Sequence, residues 1–423
     1  MVILLGFGPG DGGSTPLGTT FNNNFFCGYF MEKLLLIGID TRSMLNSALK
    51  LDYSIYSTSY FSTSDTPVIE NQKIILKESE NESCGAFEAK FNSRDMLEMS
   101  RDFIDEVDYI IPISGISPND FEKKDQKKIL GNRDVRNIEN KYTFYKKIRN
   151  KFLTPMTFRV SDIDEAIEIN ENYPETQFIL KPAQGSGGYD INLLDNERGI
   201  ELNDQKFILQ EYISGVSLSS SLLATKDDAK TITTSRLLTV NDFEKNNSFI
   251  YVGNILPLTH ESIMSDINDI DKIIEDMKTT SENLAREFNL MGSNGVDYIL
   301  NEKGLYVVEI NPRLQGTFEC VEQAYGINML DTHIRACHGE IINMPKAKCY
   351  SYKKIIYSPA RMKYEKIDLD NIYDLPHIGS ITEKDEPLLT IIDKSEDFEK
   401  LYKKVESASE TVNRQAKRNQ LSA

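Results

Sequence analysis

Leu34 to Ile39 form an almost unbroken apolar run, the pattern of a strand covered on both faces of a parallel sheet. Ser43 to Leu51 follows as a short helix, and Tyr53 to Tyr60 reads as a second, aromatic-rich strand. Residues 62–95 are polar and irregular. A helix over Asp95–Glu106, a buried strand over Tyr109–Ile113 and a polar, exposed helix over Ser117–Lys128 complete a first α/β region that ends near residue 130.

Downstream the periods mix. Asn140 to Asn150 shows helical spacing with basic charge, and Asp162 to Asn170 reads as a capped helix. Phe178 to Pro182 is a strand stopped by proline, and Asp190–Leu194, Phe207–Ile213, Leu222–Ala224 and Thr231–Val240 read as further strands. Ile267, Ile270, Ile274, Met277, Leu284 and Phe288 fit one face of a long amphipathic helix over Asp266–Phe288. Two strands flank the turn Asn301-Glu302-Lys303-Gly304, and Met329–Ala336 is helical. Short strands and turns begin near residue 348, and Asp397–Arg418 is a charged helix. The fold class is α/β and α+β.

The chain of 423 residues is long enough for two or three domains, and no apolar run approaches membrane-spanning length. A net charge of −17 repels phosphate backbones, which excludes a general nucleic-acid binder but not a local basic pocket. The five cysteines include no CxxC pair and form no ligand cluster with the four histidines. That pattern excludes a disulfide framework or structural zinc and suits free thiols in the cytoplasm. Gly8, Gly10 and Gly13 match GxGxxG, but Ser-Thr-Pro and an asparagine-rich tract follow in place of the helix that a dinucleotide site needs. Residues 1–30 are expected to be a disordered extension.

Four segments carry chemistry. In ILKPAQGSGGYDI, Lys181 precedes Gly185, Ser186, Gly187 and Gly188, whereas a Walker loop puts its lysine after the glycines. The arrangement predicts a glycine flap whose backbone N–H groups cover phosphate while Lys181 reaches in from the sheet. In Val308-Glu309-Ile310-Asn311-Pro312-Arg313, the acid, amide and guanidinium share one strand face because the side-chain period is two. Glu309 and Asn311 offer hard oxygen ligands for magnesium, and Arg313 suits a transferring phosphate. Asp297 lies twelve residues before Glu309. A three-residue turn would set these acids opposite each other, and a two-residue turn would put them on opposite faces. Gln210-Glu211-Tyr212-Ile213-Ser214-Gly215 runs from an apolar strand into a polar corner.

Together with Asn140-Lys141, these segments resemble the ATP-grasp superfamily of carboxylate ligases. The opening LLLIGIDTRSMLNSA, the Tyr251–Pro257 segment and Asp374-Leu375-Pro376 are similar to a predicted carboligase-type branch of archaea. The resemblance implies a pre-ATP-grasp α/β domain over 31–130 and a two-lobed ATP-grasp domain over 131–345 with its lid at about 155–215. A small C-terminal β subdomain with a helix would occupy 346–423. It implies ATP with one or two Mg2+, for which Mn2+ can substitute. Lys141 and Lys181 would contact phosphates, Glu211, Tyr212 and Ile213 would bind adenine beside Gln210, and Asp297, Glu309 and Asn311 would hold metal. Arg313 would stabilise the transferring group. Ser217 stands where many members carry a ribose-binding acid, and Gln315-Gly316-Thr317 disfavours a biotin carboxylase. The implied reaction activates a small-molecule carboxylate as an acyl phosphate for attack by an amine. A kinase or carboxylase-type reaction, or nucleotide binding without turnover, are the alternatives. A homodimer is common among relatives, although the sequence carries no interface signal. His260 reads either as a substrate contact or as a surface residue.

Overall fold

Lys33–Gly38 lies at the centre of a four-stranded parallel sheet, in the computed structural model, between Ser54–Ser59 and Tyr109–Pro112. The structure describes residues 31–76, 91–185, 187–188, 190–194, 206–243 and 249–421. The expected extension over 1–30 lies outside these residues, as do Cys27, Cys84 and Ser186. Leu34, Leu35, Leu36 and Ile37 are fully buried, so the sheet is covered on both faces as its unbroken apolar run requires. Asn71–Ile74 adds a polar edge strand beyond Ser54–Ser59 that no hydrophobic period betrays.

Two expectations for this region are corrected. The single helix over Asp95–Glu106 is two, Ser93–Met99 and Arg101–Glu106, broken at Ser100, whose hydroxyl donates to the Met96 carbonyl at 2.7 Å. Such back-bonding competes with helix propagation. The exposed helix over Ser117–Lys128 is two short 3-10 turns, Pro118–Asp120 and Gln126–Lys128. The Ser117–Asp120 capping box starts a helix there, but the residues that follow lack an apolar stripe to hold one.

A second sheet orders Thr157–Val160, Phe207–Glu211, Phe178–Pro182 and Asn192–Leu193, with neighbours antiparallel. It has its own small core of Val160, Phe178, Leu180 and Leu209. Helix Ile163–Glu171 belongs to this lobe and starts on the Asp162 side chain, which accepts from the Glu165 N–H at 2.8 Å.

The third sheet has eight strands. Its order is Gly304–Asn311, Gly292–Asn301, Val216–Ala224, Ala229–Thr239, Tyr251–Leu256, Tyr350–Tyr357, Pro387–Ser395 and Ile372–Tyr373. Helix Ile270–Phe288 buries Met277 and Leu284 in a core with Leu218, Leu222 and Tyr298. Of the strands after residue 346, only the short pair Met362–Lys363 and Ile381–Thr382 forms a sheet of its own. Tyr350–Tyr357 pairs with Tyr251–Leu256 and carries Pro387–Ser395, so the C-terminal segment extends the central sheet. Helix Phe398–Arg418 covers that extension through Leu401, Val405, Val412 and Ala416, each fully buried. Among the described residues no helix is long and apolar enough to cross a membrane.

Candidate active site

The second and third sheets face each other across a cavity of about 420 Å³. Lys181, Gly185, Gly187 and Gly188 line it from the smaller sheet, and Asp297, Glu309, Asn311 and Arg313 line it from the larger. Lys141 stands between them as the first residue of helix Lys141–Ile148. A lysine at the positive end of a helix is unfavourable locally, and here the Glu309 carboxylate offsets it. Asn140 caps this helix by accepting from the Thr143 N–H at 3.0 Å.

Lys141 ties the two faces together. Its backbone N–H donates to the Ala183 carbonyl at 2.9 Å, and its Nζ donates to the Gly185 carbonyl at 2.7 Å. The same Nζ lies 3.3 Å from Glu309 Oε2. The glycine loop is fastened a second time where the Tyr251 N–H donates to the Gly187 carbonyl at 3.1 Å. Gly188 takes a positive φ of 80°, and a Cβ there would run into the Phe249 carbonyl. Only glycine allows that approach.

Lys181 is 4% exposed and, among the described residues, has no ion pair. Burial, reinforced by the charge of Lys141, pushes its pKa down to about 7 against the pull of Glu309. A buried cation without a fixed partner is costly unless a ligand supplies the anion.

The acid pair arises from a register the turn alone would not give. The hairpin closes through two residues, with Asn301 opposite Gly304 and Tyr298 opposite Val307. That register would separate Asp297 from Glu309. A bulge then leaves Val308 as the extra residue and sets Asp297 opposite Glu309. The three-residue turn is therefore absent, and the bulge does its work.

Asp297 accepts from Ser219 Oγ at 2.6 Å and from Asn311 Nδ2 at 2.8 Å. An ionised carboxylate only accepts, so the Asn311 amide nitrogen must face Asp297 and its oxygen is left for another partner. Arg313 Nη2 donates to that oxygen at 3.4 Å. Burial, then the nearby charge of Glu309, holds the Asp297 carboxyl well above the usual range. Burial also opposes ionisation of Glu309, but Lys141 and Lys181 outweigh it and hold that carboxyl low. Gln315 braces the pair: it packs on Gly295, accepts from Ser221 Oγ at 2.8 Å and donates to Ser219 Oγ at 3.3 Å.

Two carboxylates and an amide oxygen are hard donors that fit magnesium, and a cation would relieve the repulsion that raises Asp297. Among the described residues no group of three or more His, Cys, Asp or Glu could hold a metal. The set therefore suits an ion that completes its shell with phosphate oxygens and water.

A second cavity of about 780 Å³ adjoins the first and shares Lys141, Glu309, Asn311 and Arg313 with it. Its outer wall comes from the C-terminal ends of the parallel strands and their loops, through Asp40, Arg42 and Ser43. Ligands in open α/β sheets bind at such strand ends. Arg42 is 1% exposed there. It donates to Glu319 Oε1 at 2.7 Å and to Asp374 Oδ1 at 2.5 Å, with Asp65 at 3.7 Å. Lys353 joins at 3.3 Å from Glu319.

Gln210, Glu211, Tyr212 and Ile213 line neither cavity. The Gln210 amide donates to Thr157 Oγ1 at 2.9 Å, and the Glu211 carboxylate accepts from the Met156 N–H at 3.0 Å. The Tyr212 N–H donates to the Gln177 carbonyl at 2.8 Å, and Ile213 is buried. Their polar groups hold the lid sheet to its connections. Ser217 does line the smaller cavity, beside apolar Leu237, Phe249 and Ile299. His260 is exposed and lines neither cavity. Burial pushes the Cys320 thiol up to about 11, which removes it as a nucleophile. Arg42 and Ser219 were not readable as cavity-lining residues, and Gln315 was read only as a difference from biotin-dependent relatives. The one sequence signal was an arginine just past an all-apolar strand.

A lysine and glycine loop on one sheet thus face an acid pair and an arginine on another across one cavity. The chain carries an ATP-grasp domain: residues 138–317 match the family model of that name. An uncharacterized protein of Methanocaldococcus jannaschii is 29% identical over 387 residues, 88% of this chain and 91% of that one. The tyramine–L-glutamate ligase of the same organism is 26% identical over 194 residues, 45% of this chain and 51% of its own. N5-carboxyaminoimidazole ribonucleotide synthetase from Thermotoga maritima shares the fold, with a TM-score of 0.66 at 14% identity over 90% of this chain and 98% of that one. So does the biotin carboxylase domain of 2-oxoglutarate carboxylase from Hydrogenobacter thermophilus, crystallised with MgADP and bicarbonate. Its TM-score is 0.65 at 16% identity over 89% of each chain.

Proposed function

We propose that this protein is an ATP- and magnesium-dependent ligase that joins a substrate carboxylate to an amine. The observation that carries the reading is the position of Arg313. With Glu309 and Asn311 it lines both cavities, so a nucleotide in one and an acceptor in the other would meet at its guanidinium. Two relatives from Methanocaldococcus bear the name tyramine–L-glutamate ligase, which pairs an amine with a carboxylic acid.

In the reaction a carboxylate oxygen attacks the γ-phosphorus and the bond to the β-bridging oxygen breaks, giving an acyl phosphate and ADP. The amine nitrogen then attacks the acyl carbon, phosphate leaves and one proton is released. Lys141 and Lys181 place positive charge where the phosphates lie, and Arg313 faces the group in transfer. Gly185, Gly187 and Gly188 line the site and would help exclude water that would hydrolyse the acyl phosphate. Asp297, Glu309 and Asn311 would hold one or two magnesium ions, which supply charge neutralisation at the phosphate oxygens. The apolar surface of Leu237, Phe249 and Ile299 suits the base, and Ser217 lies where ribose contacts would form. The free thiols Cys320, Cys337 and Cys349 suit the cytoplasm.

ADP release and amide formation, assayed over acids with and without amines, test the reading. Amine-dependent amide is the expected result. ADP formation that ignores the amine and yields no amide sinks it in favour of a kinase or carboxylase-type reaction.

A further inference from the structure

Ser219 and Ser221 stand on one face of strand Val216–Ala224, opposite Asp297 and Gly295 of the neighbouring strand. Gly295 leaves a gap in that face, and the Gln315 amide fills it: a Cβ at Gly295 would lie 1.6 Å from Gln315 Nε2. Ser219, Ser221, Gln315 and Thr317 are all buried, so their hydrogen bonds are settled within the protein.

The donors run in one direction. An ionised Asp297, the state that holds a cation, can only accept, so Ser219 Oγ donates to its Oδ1 at 2.6 Å. That uses the one hydroxyl hydrogen of Ser219, and toward Gln315 the same oxygen must accept, from Nε2 at 3.3 Å. The Gln315 amide oxygen is thereby turned the other way and accepts from Ser221 Oγ at 2.8 Å. Ser221 has then used its own hydrogen, and Thr317 Oγ1 donates to it at 3.1 Å. On the far side of the carboxylate, Asn311 donates to Oδ2 at 2.8 Å, so both oxygens of Asp297 are held.

Ser219 has a second acceptor within reach, the Val296 carbonyl at 3.3 Å. Gln315 decides between the two. Its N–H occupies a lone pair of Ser219 Oγ and polarises that hydroxyl toward the charged acceptor. An apolar side chain at 315 would free the hydroxyl to swing to Val296, and Asp297 Oδ1 would lose the donor that fixes it. Among the described residues Gln315 has no hydrogen bond to Asp297, Glu309 or Asn311 itself.

Resting on the magnesium-dependent reading of the site, we infer that Gln315 is a positioning residue for the cation. Acting through Ser219, it fixes the rotation of the Asp297 carboxylate in the cavity wall. Gly295 is the residue that makes room for it.

Calorimetry on the full chain tests this with a non-hydrolysable ATP analogue, titrated once with Mn2+ and once in EDTA. The parent should bind more tightly with Mn2+, and Asp297→Asn should lose that gain. Ser219→Ala and Gln315→Met should each raise the Kd with Mn2+ about tenfold, the scale of losing a partner outside the ligand shell. Their Kd in EDTA should stay within about twofold of the parent, which shows that both variants are folded. The double variant should bind no more weakly with Mn2+ than Ser219→Ala alone, because Gln315 acts through Ser219. A parent that gains nothing from Mn2+, or an Asp297→Asn variant that keeps the gain, overturns the magnesium reading and this inference with it. If Asp297→Asn loses the gain but Ser219→Ala or Gln315→Met keeps it, only the inference falls. It falls as well if the two single losses add in the double variant, or if either single variant weakens binding in EDTA to the same extent.

Discussion

Lys141 Nζ lies 3.3 Å from Glu309 Oε2 and 2.7 Å from the Gly185 carbonyl oxygen, so one ammonium group spans the glycine loop and the acid pair. Its removal should damage phosphate binding and loop placement together. Lys141→Ala is expected to lower kcat/KM for ATP by about a hundredfold or more, the scale of losing one charge-stabilising donor. Steady-state ADP release reads this directly.

Asp297 makes stability depend on pH. Its pKa rises from the usual carboxylate value of 3.8 to about 7 in the fold. Between those values the folded chain binds more protons than the unfolded chain, so this group's contribution to stability is present at low pH and lost as pH rises to about 7. Asp297→Asn removes that dependence. Without ligands the variant should unfold at higher temperature than the parent at pH 7 and above, and the gap should shrink toward pH 4. Stabilisation by MgATP should fall sharply. Thermal scans across pH, with and without MgATP, check both outcomes.

Lys181 has the opposite sign. Its pKa falls from 10.5 to about 7, so between those values the unfolded chain binds more protons and stability rises with pH. Lys181→Met should flatten the rise over that window and stabilise the ligand-free protein at neutral pH. Nucleotide affinity should drop, because a buried lysine with no fixed partner serves the ligand. Urea unfolding at several pH values, paired with nucleotide titration, measures the exchange.

Arg42 joins segments far apart in sequence, through Asp65, Glu319 and Asp374. Arg42→Met leaves those carboxylates facing one another with only Lys353 nearby. A loss of roughly 3–5 kcal/mol in unfolding free energy is expected, the range for stripping one partner from a buried ionic cluster. Equilibrium urea unfolding gives the value.

Most elements were legible because their periods are strong. The all-apolar strand Lys33–Gly38, the amphipathic helix Ile270–Phe288 and the strand ending at Pro182 each follow one rule over enough residues to outvote local noise. Asn71–Ile74 escaped because an edge strand with four half-buried residues shows no hydrophobic alternation. The helix expected after Ser117 shows the converse, a start signal with no stripe to continue it. The lining of the smaller cavity was legible in Lys181, the glycines and the Glu309–Arg313 face. The outer wall of the larger cavity was not. Asp40, Arg42, Glu319, Lys353 and Asp374 come from distant segments, and only the folded sheets bring them to one wall. The strand ending at Glu211 is polar at its tip, and the Gln210 and Glu211 side chains bond within the protein, to Thr157 and Met156.

The bulge at Val308 has a consequence for how this hairpin can vary. Pairing near the tip, from Asn301 to Tyr298, follows one register, and pairing from Asp297 inward follows another. The extra residue works like a joint between two independently indexed rulers. The tip at Glu302-Lys303 answers to turn chemistry, and the segment from Glu309 to Arg313 answers to the cavity it lines. Each can then be selected for its own task without dragging the other out of line.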